Sequence, residues 1–125
     1  METRPLNILI IDDNPIHGDG LAELLEIKGF SATWVSTGQA GLDYARRHPV
    51  DAILLDMSLP DISGPEICKR LRSDPRMEQT AIIYHTGSQP ARGEKYGGDA
   101  FLTFPVSFEE LFSVIRGSVL RRRPK

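Results

Sequence analysis

The chain has 125 residues, of which 40% are hydrophobic and 26% are charged, and its formal net charge at pH 7 is −2. This length is typical of one domain, and this composition excludes a disordered chain. The last five residues contain Arg121, Arg122, Arg123 and Lys125, so the remaining residues carry a net charge of −6. Such an acidic body does not favour nucleic-acid binding, and the basic end is typical of a solvated helix terminus.

The sequence also restricts the cellular setting. Its longest apolar stretches are about half as long as a membrane span. Residues 1–11 lack the basic segment and long apolar segment of a signal peptide. The single cysteine, Cys68, excludes an internal disulfide and a zinc site built on thiolates. We therefore expect a cytoplasmic protein.

Short apolar runs alternate with amphipathic segments along the chain. The apolar runs predict five strands, Asn7–Ile11, Ser31–Val35, Asp51–Leu55, Thr80–Tyr84 and Asp99–Thr103. The segments between and after them predict helices over Pro15–Gly29, Thr37–His48, Gly64–Ser73 and from the capping box of Ser107 and Glu110 onwards. The last of these helices has an apolar stripe of Phe108, Leu111, Phe112, Ile115 and Val119.

Repeated strand–helix alternation predicts a parallel sheet with helices on both faces. We expect one domain over residues 1–125, with a core from about residue 6 to residue 120 and a basic tail over residues 121–125. Ser31–Val35 is half polar, so it is expected at an edge of the sheet. The segment between Thr86 and Asp99 is rich in glycine and lacks an apolar stripe, which predicts a loop with at most a short helix.

Acidic residues stand at the ends of two predicted buried strands. Asp12 and Asp13 follow the first strand, and Asp56 follows the third. If these strands are neighbours, the three carboxylates meet in one pocket, where their repulsion favours a bound cation. Carboxylate oxygens suit Mg²⁺, and a carboxylate beside this ion can attack phosphorus to form an acyl phosphate. The alternative is that Asp12 or Asp13 only caps the next helix.

These residues resemble the receiver domain of two-component response regulators. The resemblance covers about residues 6–120 and rests on IDDNP from Ile11, ILLDMSLPDISG from Ile53, Thr86-Gly87 and Phe104-Pro105. It implies an α/β fold, a flavodoxin-like doubly wound sheet of five parallel strands in the order 2-1-3-4-5. The expected fourth helix is short or irregular in this chain.

The resemblance also implies a role for individual residues. Asp56 matches the aspartate that accepts a phosphoryl group from a histidine kinase or a phosphotransfer protein. Thr86 matches the hydroxyl that hydrogen-bonds the phosphoryl group, and Phe101 matches the aromatic side chain that changes rotamer with it. The implied Mg²⁺ ligands are Asp12, Asp13, Asp56 and the backbone carbonyl of Ser58.

The chain departs from the family at two places. The family normally has a lysine directly before the proline that follows the fifth strand, and Phe104 occupies that position here. Phe104 can pair neither with Asp56 nor with a phosphoryl oxygen, so we expect weaker coupling between phosphorylation and output. The segment from Thr86 to Phe104 is shorter than usual, which predicts a remodelled output face. Arg92 or Lys95 could supply the missing cation from this segment.

The favoured hypothesis is a signalling switch that accepts a phosphoryl group on Asp56 and alters the binding of a downstream protein. It is not an enzyme beyond Mg²⁺-dependent self-phosphorylation and autodephosphorylation. The alternative is a pseudo-receiver that binds partners without phosphorylation. We expect no direct nucleic-acid or membrane binding. Homodimerisation stays open, as does the choice between a stand-alone protein and a part of a larger one.

Two enzyme or cofactor-binding classes are disfavoured by single positions. A haloacid-dehalogenase-type phosphatase needs a second aspartate where Ser58 stands. A flavodoxin needs a phosphate-binding loop rich in hydroxyl groups and glycine where Asp12 and Asp13 stand. His17, His48 and His85 are scattered along the sequence, which does not favour a histidine metal site.

Overall fold

The computed structural model describes residues 4–87 and 96–123. In chain order, the strands are β1 (Asn7–Ile11), β2 (Ser31–Val35), β3 (Ala52–Leu55), β4 (Ala81–Thr86) and β5 (Ala100–Thr103). The helices are α1 (Pro15–Ile27), α2 (Gly38–Arg47), α3 (Gly64–Arg72) and α4 (Phe108–Arg122), with a short 3₁₀ helix at Pro75–Met77. None of the helices in these two ranges is long and apolar enough to cross a membrane.

The five strands form one parallel sheet in the order β2-β1-β3-β4-β5. The predicted flavodoxin-like order is therefore confirmed, with β2 at an edge. Ile11 aligns with both Val35 and Leu55, and Leu55 aligns with Tyr84. Because β1 and β3 are adjacent and parallel, the residues that follow them meet at the same edge of the sheet.

Alternate residues of each strand face opposite sides of the sheet, and each side has its own apolar core. Ile8 and Ile10 of β1 face the side that α1 and α4 cover, where Leu25 and Ile115 are fully buried. The other core, beneath α2 and α3, is built mainly from Leu9, Ile11, Leu42, Ala45, Ile53, Leu55, Ile67, Cys68, Leu71, Ile82 and Tyr84. Every strand except the edges is thus buried on both faces, as its apolar sequence predicts.

Several elements begin or end one or two residues from their predicted bounds, and two of the differences concern the site and the core. β4 continues past Tyr84 to Thr86, because His85 and Thr86 align with Leu102 and Thr103 of β5. Phe108 does not join the core and is 58% exposed. It is the first residue of α4, and Leu111, one turn further on, is the first member of the stripe that is buried.

The expected short or irregular helix falls mainly on residues 88–95, which lie outside the described residues. On either side of that gap, Gly87 and residues 96–99 contain no helix. Tyr96 and Gly97 both have positive φ angles, of 50° and 83°, and form a turn that leads into β5.

Asp99, which directly precedes β5, joins three parts of the fold. Its Oδ2 accepts hydrogen bonds from Arg72 of α3 and from the backbone amide of Ile82, each at 2.8 Å. Its Oδ1 accepts a hydrogen bond from Arg122 of α4 at 2.8 Å. The expectation of a simply solvated basic end is therefore wrong for Arg122, which ties the last turn of α4 to the sheet.

We expect Asp99→Ala to lower the free energy of unfolding by about 2 kcal/mol, because it leaves two partly buried guanidinium groups without their carboxylate. Asp43→Ala is the matched control. Asp43 faces Arg46 at 3.8 Å on an exposed face of α2, and loss of such a pair costs about 0.5 kcal/mol or less. Urea unfolding compares the two variants, and equal losses would contradict a stabilising role for Asp99.

Candidate functional site

Three aspartates lie together at the carboxyl ends of β1 and β3. One carboxylate oxygen from each of Asp12, Asp13 and Asp56 lies within 4.8 Å of the others, and we call this group the acidic cluster. Asp12 is buried, Asp56 is partly buried and Asp13 is exposed. Neither Asp12 nor Asp13 is the helix cap, because the N-cap of α1 is Asn14.

Asp56 has two hydrogen-bond donors close to one of its oxygens. Thr86 Oγ1 donates to Asp56 Oδ1 at 2.8 Å, and the backbone amide of Ser58 lies 3.4 Å from the same oxygen. Burial raises the pKa of Asp56, and the negative charges of Asp12 and Asp13 raise it further. These two donors only partly offset the rise, and no positively charged side chain of residues 4–87 or 96–123 is among the main contributors to the pKa shift of Asp56.

The loop after β3 is fixed against the helices on both sides of it. A Cβ atom on Gly64 would lie 2.7 Å from the carbonyl oxygen of Asp56, so glycine is needed for α3 to begin this close to the site. Asp61 accepts hydrogen bonds from the amides of Gln39 and Gly38 at the start of α2, at 2.9 and 2.8 Å. These bonds lower the pKa of Asp61 and keep its carboxylate ionised.

Trp34 on β2 supports the backbone at Asp12. Its Nε1 donates to the carbonyl oxygen of Asp12 at 2.7 Å. A Cβ atom on Gly18 would overlap the Trp34 ring, so a glycine is required where α1 passes over this side chain. Trp34 is the only tryptophan of the chain, and its fluorescence is therefore a direct probe of the site. From the sequence alone, Trp34 is only an aromatic residue in a predicted edge strand, and no pattern indicates its hydrogen bond to Asp12.

His17 and His85 lie side by side, although they are far apart in the sequence. Their rings stack with centroids 5.4 Å apart, and the Phe104 ring packs against them at 4.4 and 4.9 Å. We call these three residues the aromatic cluster. His17 and His85, which are far apart in the sequence, are thus neighbours in the fold, while His48 stacks on Tyr44 elsewhere.

The aromatic cluster touches both the acidic cluster and an apolar groove. His17 Nδ1 lies 2.7 Å from Asp12 Oδ2. The groove has a volume of about 730 Å³ and runs between α1 and α4, with all three aromatic-cluster residues in its wall. The space around Phe104 is thus occupied by aromatic rings.

The remaining predicted site residues have separate positions. Phe101 is partly buried on β5, with its ring 5.3 Å from that of Tyr84 and 5.9 Å from that of Tyr96. Ser58 is exposed beside Asp56. The candidate replacement cations, Arg92 and Lys95, lie outside the described residues.

The donor set of the acidic cluster fits a hard divalent cation. Its three carboxylate oxygens are the ligand type that Mg²⁺ prefers, and this ion usually keeps several waters while it binds one or two carboxylates. A cation also relieves the repulsion that raises the pKa of Asp56. The side chains present therefore suit Mg²⁺ chemically.

The family model and the similar curated proteins point to the same family. The model of the response regulator receiver domain matches residues 8–116. The response regulator ArlR of Staphylococcus haemolyticus is 39% identical over 127 residues, which covers 95% of this chain and 54% of that protein. The sensory transduction protein RegX3 of Mycobacterium tuberculosis is 37% identical over 117 residues, with 93% and 51% covered. The chain spans about half the length of these curated relatives.

A solved structure gives the same result for the fold. The receiver domain of the sensor histidine kinase PA1611 of Pseudomonas aeruginosa superposes with a TM-score of 0.83 at 26% identity. The match covers 92% of this chain and 98% of that domain. That crystal structure contains a magnesium ion coordinated in the active site cleft.

We expect Asp56→Asn to raise the free energy of unfolding by about 1 kcal/mol at pH 7 without divalent cations. The change removes one of three clustered charges and keeps an acceptor for Thr86. Asp19→Asn, at an exposed position of α1, is the control and should change stability by no more than about 0.5 kcal/mol. Urea unfolding in EDTA measures both variants, and a less stable Asp56→Asn protein would contradict this electrostatic account.

A second prediction concerns pH. Burial, and to a smaller extent His17, lowers the pKa of His85 from 6.5 to about 4, while Asp12 acts in the opposite direction. Between these two values the unfolded chain binds a proton at His85 that the folded chain does not bind. His85 therefore lowers the free energy of unfolding as the pH falls from 6.5 to 4, by on the order of 3 kcal/mol.

We expect His85→Phe to remove this part of the pH dependence, because the ring is retained without a titrating group. His48→Gln, at an exposed histidine outside the aromatic cluster, is the control. Urea unfolding at several pH values between 4 and 7 gives the three curves. If the free energy of unfolding of the wild type and of His85→Phe changed in parallel with pH, His85 would not be the cause of this pH dependence.

Proposed function

The chain belongs to the response regulator receiver domain family, and on this basis we propose that it is a phosphoacceptor switch in a two-component phosphorelay. Asp56 accepts a phosphoryl group from a histidine kinase or a phosphotransfer protein. The position of Asp56 supports this role, because its carboxylate lies within 4.8 Å of those of Asp12 and Asp13 and accepts a hydrogen bond from Thr86.

Phosphorylation in this proposal requires Mg²⁺. Its ligands are Asp12, Asp13, Asp56 and the backbone carbonyl of Ser58. The oxygen-rich acidic cluster supports this assignment, as does the magnesium ion in the related PA1611 receiver domain. When bound, Mg²⁺ neutralises negative charge on the carboxylates and on the phosphoryl oxygens.

The transfer step is a substitution at phosphorus. An oxygen of Asp56 forms a bond to phosphorus, the bond from phosphorus to the donor histidine nitrogen breaks, and its electron pair stays on that nitrogen. Within the described residues, both hydrogen bonds to Asp56 reach Oδ1, so we assign the attack to Oδ2. After the transfer, the Thr86 hydroxyl donates to a phosphoryl oxygen.

The same hydroxyl links the site to β5, the edge strand beside β4. Thr86 is the last residue of β4 and aligns with Thr103 of β5, two residues beyond Phe101. A shift of its hydrogen bond from Asp56 to the phosphoryl group favours a second position of the end of β4. The Phe101 ring, which packs against those of Tyr84 and Tyr96, changes rotamer with this shift and alters the surface that a downstream protein binds.

The proposal covers the whole chain as one domain. Residues 1–125 form a single receiver domain with its core over about residues 6–120. It is a signalling protein, and its own catalysis goes no further than Mg²⁺-dependent self-phosphorylation and autodephosphorylation. Cys68 is a buried free thiol, which agrees with a reducing cytoplasmic location.

A pseudo-receiver is the second candidate, and one observation favours it. The Phe104 ring packs against those of His17 and His85, so Phe104 contributes aromatic packing and no charge to the site. In that case the protein binds its partners in one conformation without any acyl phosphate on Asp56.

The two candidates differ in their response to a phosphodonor. We expect Mg²⁺ with beryllofluoride to change the Trp34 fluorescence, and Mg²⁺ with acetyl phosphate to add the mass of one phosphoryl group. Asp56→Asn should lose the mass increase, whereas the control Asp19→Asn should keep it. Mg²⁺ binding with no response that depends on Asp56 would favour the pseudo-receiver.

A further inference from the structure

The carboxylate of Asp12 is held on both of its oxygens. The backbone amide of Asn14 donates to Oδ1 at 2.9 Å, and His17 Nδ1 lies 2.7 Å from Oδ2. Because an ionised carboxylate only accepts hydrogen bonds, Nδ1 of this imidazole carries the hydrogen. The orientation of Asp12 therefore depends on the ring of His17.

The ring of His17 is in turn held from its other side. The Phe104 ring meets it edge to face, with centroids 4.4 Å apart, and the His85 ring stacks on it at an interplanar angle of 13°. His85 is 6% exposed and buried in β4, so this support belongs to the central sheet. Packing thus leaves His17 little freedom to turn away from Asp12.

We propose that His17 is a positioning residue for the metal site, and that its imidazole, braced by Phe104, orients Asp12 for Mg²⁺ binding. This inference rests on the proposed function. Carboxylates that bind metals are usually oriented by hydrogen bonds from a second layer of residues, and loss of such a bond typically weakens metal affinity by about 10- to 100-fold. His17 is the side chain that supplies this bond to Asp12.

A role of His17 in orienting Asp12 can be separated from a purely structural role in helix α1. Asn14 caps α1 through its own side chain, which accepts hydrogen bonds from the amides of Ile16 and His17. The buried face of the helix is formed by Gly18, Leu21 and Leu25. The imidazole takes part in neither the cap nor this buried face. Its own packing is against His85 and Phe104, and an apolar side chain at this position partly retains that packing while it removes the hydrogen bond to Asp12.

The first test measures Mg²⁺ affinity from the fluorescence of Trp34, whose indole donates to the carbonyl oxygen of Asp12. We expect His17→Leu, which lacks a donor, to weaken binding by about tenfold. In His17→Asn the amide nitrogen takes the place of Nδ1, so we expect binding within about threefold of the wild type. Ile16→Ala, on the same turn and 87% exposed in the wild type, is the control and should bind normally.

The packing of Phe104 against His17 is tested with Phe104→Leu, which keeps an apolar side chain but lacks the ring edge. We expect Phe104→Leu to bind Mg²⁺ about threefold more weakly than the wild type, but more tightly than His17→Leu does. Urea unfolding of every variant shows whether a loss of affinity comes from unfolding. If His17→Leu does not fold, ¹⁵N NMR of the wild-type imidazole is decisive. A hydrogen on Nδ1 and a shift on addition of Mg²⁺ support the proposal, and a hydrogen on Nε2 alone overturns it.

The outcomes separate this inference from the function on which it rests. If the folded wild type binds no Mg²⁺, both fail. If the wild type binds Mg²⁺ and is phosphorylated on Asp56 while His17→Leu binds equally well, only the positioning role of His17 fails. Equal losses in His17→Leu and His17→Asn would also overturn it, because the donated hydrogen bond would then not be the cause.

Discussion

The site depends on a conflict between geometry and charge at the carboxyl ends of β1 and β3. The parallel pairing of these strands places three carboxylates within 4.8 Å of one another, in a partly buried position where they repel strongly. Among the described residues, their polar contacts are backbone amides, the Thr86 hydroxyl and the His17 imidazole. The remaining negative charge is what a divalent cation neutralises.

The surrounding fold keeps this unfavourable arrangement from relaxing. Gly64 allows α3 to begin against the backbone of Asp56, and Asp61 fixes the same loop to the start of α2. On the other side, Trp34 holds the backbone of Asp12. Each anchor acts on the backbone next to a carboxylate, so the aspartates cannot move apart without breaking well-formed hydrogen bonds or close packing.

The fold and the acidic cluster could be predicted because their signals are local. An apolar run such as Asn7–Ile11 marks a buried strand, and Asp12 and Asp56 stand directly after two such runs. Strand order then follows from the resemblance to a known family. The end of β4 was harder to predict, because His85 and Thr86 are polar and are in the strand through their pairing with β5.

The aromatic cluster could not be predicted in the same way. His17, His85 and Phe104 lie on α1, on β4 and after β5, and no periodic pattern connects them. Asp99 likewise precedes β5 but binds Arg72 and Arg122 from two different helices. Contacts of this kind depend on side-chain lengths and directions across elements, which a pattern read along one sequence does not contain.

Phe104 changes the electrostatic balance of the site under the proposed function. A lysine at this position would supply a fixed positive charge, which would oppose the repulsion within the acidic cluster whether or not metal is bound. Phe104 instead contributes uncharged packing against His17 and His85, so among the described residues the charge of the acidic cluster is compensated mainly when a cation binds. In the proposed function the same cation is needed for phosphoryl transfer, so a single binding event would both neutralise the aspartates and prepare Asp56 for the reaction. The aromatic cluster then serves to keep Asp12 in place until this event occurs.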